Sequence, residues 1–177
     1  SELPDLDVDY NYNPIDDESI RLQGQQTVEI PKSNDVKFVS VARMSPEKGY
    51  DTLLKCVQRL KTDGYKFSLW LVGDGPILNN LKRYAEELQI TDYVTFLGQQ
   101  SNPHAYVSKA DVYICSSTKE GYSTTCTEAI IQGIPVLTTN CSGGQEIISE
   151  AGCGRIFGMD EDSIYNAMKE VLENPDL

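Results

Sequence analysis

The sequence predicts an α/β fold, a Rossmann-like doubly wound parallel sheet of about six core strands. Three observations lead to it. Apolar, β-rich runs alternate with segments in which apolar residues recur at helical spacing, such as Leu53, Val57 and Leu60. The strand runs are continuously apolar, which is typical of parallel strands buried on both faces. Right-handed crossovers between such strands give the doubly wound arrangement, whose ligands bind outside the carboxyl ends of the strands.

The elements follow in chain order. Strands are expected at 36–42, 67–72, 93–97, 111–115, 134–138 and 154–157. Helices are expected at the apolar stripes 53–60, 77–88 and 164–172, and shorter ones at 102–108, 124–132 and 144–150. Breakers support these limits: Pro76 suits the first position of a helix, Gly133 stops one, and Asn174-Pro175 ends the last.

Residues 1–35 differ from residues 36–177, which form the predicted Rossmann-like domain. The first segment is acidic and polar and lacks a long periodic pattern. Alternation at 6–12 indicates a short strand, and Asn13-Pro14 marks a turn. We therefore interpret 1–35 as an edge segment outside the regular domain.

The composition excludes several classes of function. The chain has 177 residues, which is enough for one domain, with a net charge of −12 and a pI of about 4.4. Such acidity argues against non-specific binding to nucleic acid or to an anionic membrane surface. No apolar run approaches the roughly 18 residues of a membrane span, and no signal peptide opens the chain. A small anionic ligand remains possible, since one or two local cations suffice for a phosphate.

The cysteine and metal-ligand patterns are uninformative about chemistry. The five cysteines include no CxxC pair, so we interpret them as reduced and mostly buried, which indicates a reducing compartment. We assign no role to the lone His104. The triplets Asp7-Val8-Asp9 and Asp160-Glu161-Asp162 resemble metal-binding DxD patterns, but neither follows a core strand. We interpret the first as part of an edge strand and the second as a helix start.

Two cations follow the first predicted strand, where the fold places ligands. Arg43 offers a planar fork that suits phosphate oxygens, and Lys48 adds a mobile point charge. Together they are candidates to neutralise a diphosphate. The alternative, a solvated loop with a helix start at Ser45-Pro46, is equally consistent with the residues alone.

The loops after the second and third strands carry weaker signals. Gly73-Asp74-Gly75-Pro76 lacks the third glycine of a dinucleotide fingerprint, so a tight structural turn is the better interpretation. The stretch Gly98-Gln99-Gln100 is positioned to pass close to a flat nucleobase.

The segment after the fourth strand, 120–128, carries the strongest signal. Gly121 permits an unusual turn, and Ser123 and Thr124 are good N-cap residues for a helix whose free amides would point at the ligand edge. Glu120 precedes that helix and Glu128 lies about one turn into it, so the pair can accept hydrogen bonds from sugar hydroxyls. On spacing alone, a capped helix with two incidental glutamates is the better interpretation, because two glutamates at this separation are common.

Taken together, five stretches resemble the carboxyl-terminal, donor-binding domain of retaining GT-B glycosyltransferases of the E-x7-E type, the glycosyl transferases group 1. They are VSVARMSPEKGYDTLLK, LVGDGP, VTFLGQ, ADVYICSSTKEGYSTTCTEAI and GIPVLTTNCSGGQEII. They appear in family order and cover the chain from Val36 to its end. Asn13-Pro14-Ile15-Asp16 is similar to the family's interdomain crossover, which makes 1–35 a crossover or edge segment and 36–177 the nucleotide-sugar-binding half of a GT-B fold.

The resemblance implies a role for each candidate residue. Arg43 and Lys48 would hold the donor diphosphate, Glu120 would face the transferred sugar, and Glu128 would bind the ribose hydroxyls. The remaining donor-binding candidates are Gly98, Gln99 and Gln100 beside the base, and Gly121, Tyr122, Ser123 and Thr124 beside sugar or phosphate. No metal or other cofactor is expected, because protein cations and a helix end would stabilise the departing diphosphate.

The implied function is transfer of a hexose, with retention, from a UDP- or GDP-sugar to a glycan or glycolipid acceptor. Alternatives are a GT-B-like sugar-nucleotide epimerase and a non-catalytic nucleotide-binding module. The family's amino-terminal domain, which holds the acceptor site, is not in this sequence, so we expect this chain alone to be inactive. In departures from the family pattern, Ala42 replaces a common glycine, and Ser123-Thr124-Thr125 replaces a small apolar run. The implied location is cytoplasmic, possibly at the inner membrane face through the full-length protein.

Overall fold

A computed structural model describes residues 15–31, 35–119, 123–141, 148 and 152–174. The strands are β1 (Val36–Val41), β2 (Phe67–Val72), β3 (Val94–Gly98), β4 (Val112–Cys115), β5 (Val136–Thr139) and β6 (Gly154–Phe157). The helices are α1 (Asp17–Gly24), α2 (Tyr50–Thr62), α3 (Leu78–Glu87), α4 (His104–Val107), α5 (Thr124–Ile131) and α6 (Glu161–Glu173), with a 3₁₀ turn at Pro46–Lys48.

The strands form one six-stranded sheet in the order β3-β2-β1-β4-β5-β6, and every recorded pair is parallel. The chain starts in the middle, winds outwards to β3 and then returns to add β4 on the other side of β1. This order confirms the doubly wound Rossmann-like fold. It also places the topological switch point, where such folds bind ligands, between β1 and β4.

Both faces of the sheet are covered, as the continuously apolar strands predict. Phe38 and Leu69 point into a core formed with the apolar stripes of α2, α3 and α6. Their strand neighbours Val39 and Trp70 point to the other face, into a core beneath α4 and α5. All four side chains are fully buried. Because side chains alternate along a strand, burial on both sides requires apolar residues at successive positions.

Helix α1 is an element that the sequence analysis did not predict. Asp16 is its N-cap and accepts a hydrogen bond from the backbone N of Ser19 at 3.0 Å. The helix packs on α4 and α5, and its last carbonyls accept bonds from the side chains of Asn102 and Ser108. Its docking on the regular domain explains why a short helix with few apolar residues forms here. The boundary at residue 35 stays a prediction, and the predicted strand at 6–12 lies outside the described residues.

Two predicted element starts need correction. Helix α3 begins at Leu78 after the N-cap Ile77, so Pro76 precedes the helix instead of opening it. Strand β5 begins at Val136 instead of residue 134, because the backbone N of Ile134 donates to Ala129 at the end of α5 and Pro135 has no N–H. The predicted helix at 144–150 lies almost wholly outside the described residues.

The acidic triplet at 160–162 starts a helix, as interpreted from the sequence. Asp160 is the N-cap of α6 and accepts a hydrogen bond from the backbone N of Ser163 at 2.9 Å. Glu161 and Asp162 both pair with Arg59 on α2, at 3.0 and 2.8 Å. These carboxylates tie α6 to α2. The triplet at 7–9 lies outside the described residues.

The cysteines are free thiols, and Cys56, Cys115, Cys126 and Cys141 are buried. Within the described part of the chain, no helix combines the length and the apolar character needed to cross a membrane.

Candidate functional site

A groove of about 440 Å³ lies at the carboxyl ends of the first three strands, beside the start of α5. Its polar lining comes from four separate loops or helices, namely Arg43, Asp74, Gln99, Gln100 and Thr125. The structure therefore brings Arg43 together with Gln99 and Gln100, as expected from their places after strands. The volume lies within the range of small-ligand pockets, about 300 to 1,000 Å³.

Strands β1 and β4 separate at this groove. They pair only at Phe38 with Val112 and at Val39 with Tyr113. Beyond that point the Tyr113 hydroxyl fills the gap: it donates to the carbonyl of Val41 at 3.0 Å and lies 3.4 Å from the Val41 N–H. The buried hydroxyl thus replaces a strand partner for Val41, a groove-lining residue, where the two strands diverge.

The loop that carries Arg43 is held by its backbone on both sides. The N–H of Ala42 donates to Val72 at 3.1 Å, and the N–H of Met44 donates to Asp74 at 2.9 Å. Gly73 makes this contact possible, because a Cβ there would lie 2.0 Å from the Ala42 carbonyl oxygen and its φ is +135°. The exposed Arg43 side chain therefore extends from a fixed base. The glycines at 73–75 serve packing, which agrees with their interpretation as a structural turn.

Lys48 lies in a narrow cleft next to the groove, with Ser116, Ser117 and Thr125. The loop after β1 is bonded here to the loop after β4. The Ser116 hydroxyl donates to the Lys48 carbonyl at 2.8 Å, and the N–H of Thr118 donates to the Glu47 carbonyl at 2.8 Å. These bonds hold the loop that carries Arg43 and Lys48 next to the loop that leads from β4 to α5.

Gly49 sets the distance between these two loops. It adopts φ +66°, and a Cβ on it would lie 2.2 Å from the Ser116 carbonyl oxygen. Any other residue would push the loops apart. A further local bond joins the Ser45 hydroxyl to the Glu47 carboxylate at 2.6 Å, which lowers the pKa of Glu47. Glu47 is thus an anion engaged within its own loop.

The glutamines on the far side of the groove differ from each other. Gln99 is exposed, whereas both ends of the Gln100 amide are engaged: the nitrogen donates to Leu97 at 2.6 Å and the oxygen accepts from Tyr106 at 3.2 Å. Gly98 ends β3 with φ +68°, and its carbonyl accepts from Gly73 at 2.8 Å. Gln100 therefore shapes this side of the groove, and Gln99 and backbone groups remain to contact a ligand.

Helix α5 begins beside the groove. Ser123 is its buried N-cap, but its side chain makes no capping bond among the described residues, and Thr124 is the first helical residue. The amides of this first turn form the partly positive end of the helix. The predicted site residues Glu120, Gly121 and Tyr122 lie outside the described residues.

Glu128, one turn further along α5, lies beside His104 on α4. The distance from Glu128 Oε2 to His104 Nδ1 is 3.9 Å, and the side chains expose 28 % and 14 % of their surfaces. Burial raises the pKa of Glu128 and lowers the pKa of His104. Burial therefore disfavours the charged form of each group.

Three residues of this region received no site role from the sequence, including His104, to which no role was assigned. Thr125 lines both the groove and the Lys48 cleft, Tyr113 spans the diverging strands, and His104 faces Glu128. The hydroxyl-rich start of α5 was a usable signal for Thr125. Nothing in the spacing indicates the other two, because their roles depend on how β4 and α4 pack.

A second cavity, of about 260 Å³, lies at the amino-terminal end of β5 and β6. Its walls include Val136, Leu137 and Val171, and its charged residues Arg155 and Glu170 pair with each other. It contains no predicted site residue. The groove at the carboxyl ends, with polar groups converging from several loops, is the better candidate for a functional site.

A match to a family model identifies the family of this chain. The family model for glycosyl transferases group 1 matches residues 25–177. The chain belongs to the glycosyl transferases group 1. The solved structures it resembles are GT-B glycosyltransferases, so the Rossmann-like sheet is one half of a GT-B fold.

Individual relatives and solved structures match most of the chain. It is 30% identical over 168 residues to the N-acetylgalactosamine-N,N'-diacetylbacillosaminyl-diphospho-undecaprenol 4-alpha-N-acetylgalactosaminyltransferase of Campylobacter jejuni, which covers 94% of this chain and 44% of that enzyme. It is 28% identical to a GDP-mannose-dependent alpha-(1-6)-phosphatidylinositol monomannoside mannosyltransferase of Mycobacterium tuberculosis, over 78% of this chain and 38% of that enzyme. Anabaena HepE, solved in complex with UDP, superposes with a TM-score of 0.71 at 20% identity, over 80% of this chain and 40% of that chain.

This glycosyl transferases group 1 chain thus spans less than half the length of these relatives. What it contains is the sheet, the switch point and the groove.

Proposed function

We propose that this chain is the donor-binding domain of a retaining glycosyltransferase, which transfers a hexose from a UDP- or GDP-sugar to a glycan or glycolipid acceptor. One observation carries the proposal: Arg43 lines the groove, Lys48 lies in the adjoining cleft, and Thr125 at the start of α5 lines both, with Glu128 about one turn further along α5. Cations, helix amides and a carboxylate are the groups that a diphosphate attached to a ribose would need.

Arg43 and Lys48 would hold the diphosphate. Arg43 supplies planar N–H donors from a fixed loop, and Lys48 supplies a mobile charge from the adjoining cleft. The amides of the first turn of α5 add donors without adding a side chain. When the bond to the sugar breaks, negative charge grows on the diphosphate, and these donors would stabilise it without a metal ion.

Glu128 would accept hydrogen bonds from the ribose hydroxyls, and the side of the groove with Gln99 would border the base. The sugar would then extend toward the segment that contains Glu120, and the residues near Gly121, Tyr122, Ser123 and Thr124 would contact sugar or phosphate. The names of two related proteins support both base types, since one is GDP-mannose-dependent and another was solved with UDP. The whole protein would contribute the acceptor side of the cleft, in the cytoplasm and with retention of anomeric configuration.

Calorimetric titration of the chain with UDP, GDP, the matching nucleosides and pyrophosphate tests this proposal. We expect one nucleoside diphosphate to bind more tightly than either the nucleoside or pyrophosphate. At 100 times its Kd, that ligand should raise the free energy of unfolding by about 2.7 kcal/mol. A folded chain that binds no nucleoside diphosphate at millimolar concentration would contradict the proposal.

A further inference from the structure

The pair formed by Glu128 and His104 is not explained by the roles assigned so far. The two side chains come from different helices, α5 and α4, and face each other at 3.9 Å between Oε2 and Nδ1. The side chains expose 28 % and 14 % of their surfaces, and both residues are close in the chain to residues that line the groove: Glu128 follows Thr125 by three positions, and His104 follows Pro103 directly. A mostly buried histidine and carboxylate in contact range form a polar pair within a largely apolar packing layer.

The Glu128 carboxylate accepts no hydrogen bond from any of the residues that the structure describes. Its two oxygens together have about four acceptor positions, and two ribose hydroxyls would occupy only some of them. The terminal torsion of a glutamate is broad and roughly two-fold, so the carboxylate plane is free to turn. A ribose site on Glu128 therefore needs another donor to fix that plane.

His104 is the group placed to supply this donor. Burial lowers its pKa, so at neutral pH the imidazole is neutral, with one nitrogen as N–H donor. The present distance exceeds that of a hydrogen bond, and an approach of about 1 Å brings Nδ1 and Oε2 to the usual 2.9 Å. The Glu128 side chain is long enough to make that movement without a shift of either helix.

We propose that His104 is a positioning residue for nucleotide recognition: its Nδ1–H donates to Oε2 of Glu128 and orients the carboxylate toward the ribose hydroxyls. This inference rests on the proposed donor-binding function. It assigns a role to a histidine that touches the nucleotide only through Glu128. It also explains why a polar ring occupies this mostly buried position at the start of α4.

Two matched variants distinguish the contribution of the His104 N–H donor from that of the packed ring. His104→Phe keeps the ring and its burial but removes the N–H, whereas His104→Asn keeps an N–H close to the position of Nδ1. With the nucleoside diphosphate that binds the wild type, we expect His104→Phe to raise Kd about three- to tenfold and His104→Asn to restore most of the affinity. Pyrophosphate, which has no ribose, should bind all three chains alike.

A second comparison uses Glu128→Gln as the background. If His104 acts through the carboxylate, His104→Phe should have no further effect on nucleotide binding in that background. An equal loss for nucleotide and pyrophosphate would show a structural role for His104 and overturn the inference, as would unchanged nucleotide affinity in His104→Phe. A wild type that binds no nucleoside diphosphate would instead contradict the proposed function itself, so the two failures are distinguishable.

Discussion

The two walls of the groove are built differently. The β1 wall, residues 42–49, is fixed by backbone bonds to the loops after β2 and β4 and by glycines in contact with carbonyl oxygens. The α5 wall, residues 123–128, presents an N-cap serine without a capping bond and a carboxylate without a hydrogen-bond donor among the described residues. The β1 wall is therefore held in place by bonds within the chain, whereas no hydrogen bond among the described residues fixes the orientation of the Glu128 carboxylate.

This difference suits the two halves of a nucleoside diphosphate. A diphosphate is strongly hydrated, and rigid donors that need no rearrangement bind it most effectively. Ribose hydroxyls are neutral and directional, so they need a carboxylate held in one orientation, which is the role that we propose for His104.

The largest expected effect comes from the packing of the β1 wall. Gly73→Ala would place a Cβ 2.0 Å from the Ala42 carbonyl oxygen at φ +135°, and we expect a loss of about 3 kcal/mol or more in the free energy of unfolding. Gly133→Ala is the matched control, because φ is +77° but nothing lies within 4 Å of its Cβ, and should cost about 1 to 2 kcal/mol. Denaturant unfolding measures both. If both variants lost the same free energy of unfolding, the close contact between Gly73 and the Ala42 carbonyl would contribute little to stability.

A smaller effect is expected where β1 and β4 separate. Tyr113→Phe removes the hydroxyl that serves the backbone of Val41, leaving a buried carbonyl without its partner. We expect a loss of about 1 to 3 kcal/mol in unfolding free energy. Tyr84→Phe on α3, whose hydroxyl makes no recorded bond within the described residues, should be nearly neutral. A neutral Tyr113→Phe would mean that the strands do not need this bridge.

The smallest effect concerns pH and the α5 wall. Burial raises the pKa of Glu128 above its ordinary 4.5, so the carboxylate protonates earlier than an exposed glutamate as the pH falls. We expect the nucleotide affinity of the wild type to fall about fivefold between pH 7 and pH 4.5 relative to that of Glu128→Gln. The variant is the control because protonation of the nucleotide affects both chains equally. If the ratio of the Kd of the wild type to the Kd of Glu128→Gln were the same at both pH values, a charged role for Glu128 would be contradicted.

Folding stability should move in the opposite direction over the same range. The raised pKa means that the folded chain binds this proton more tightly than the unfolded chain. The corresponding stability is present below pH 4.5 and is lost as the pH rises through the folded-state pKa. Protonation of Glu128 alone should therefore stabilise the fold while it weakens nucleotide binding, and the unfolding free energy of Glu128→Gln should lack this pH-dependent contribution.

Much of this molecule could be predicted from its sequence, for physical reasons. Strands β2 and β6 have the bounds predicted, because β2 is a mostly apolar run and β6 lies between glycines at 152 and 158. The convergence of Arg43 with Gln99 and Gln100 follows from a parallel sheet, in which all carboxyl ends meet at one edge. Pattern alone also identified the acidic start of α6.

Other features depend on tertiary packing that no local pattern contains. Helix α1 is short and polar, and bonds from Asn102 and Ser108 hold it in place. The approach of His104 to Glu128 depends on how α4 and α5 pack. The hydrogen bond from Tyr113 to Val41 depends on where β1 and β4 diverge. The roles of all the predicted site residues stay predictions, and Glu120, Gly121 and Tyr122 lie outside the described residues.

The most direct test of the two-wall account is one calorimetric comparison. Nucleoside diphosphate and pyrophosphate are titrated into Arg43→Ala and Glu128→Gln, with Arg83→Ala and Glu87→Gln on α3 as controls. The account predicts that Arg43→Ala weakens both ligands about tenfold or more, while Glu128→Gln weakens only the nucleotide. If Glu128→Gln weakened both ligands equally, or Arg43→Ala left pyrophosphate unaffected, the assignment of the diphosphate to the β1 wall and of the ribose to the α5 wall would be wrong.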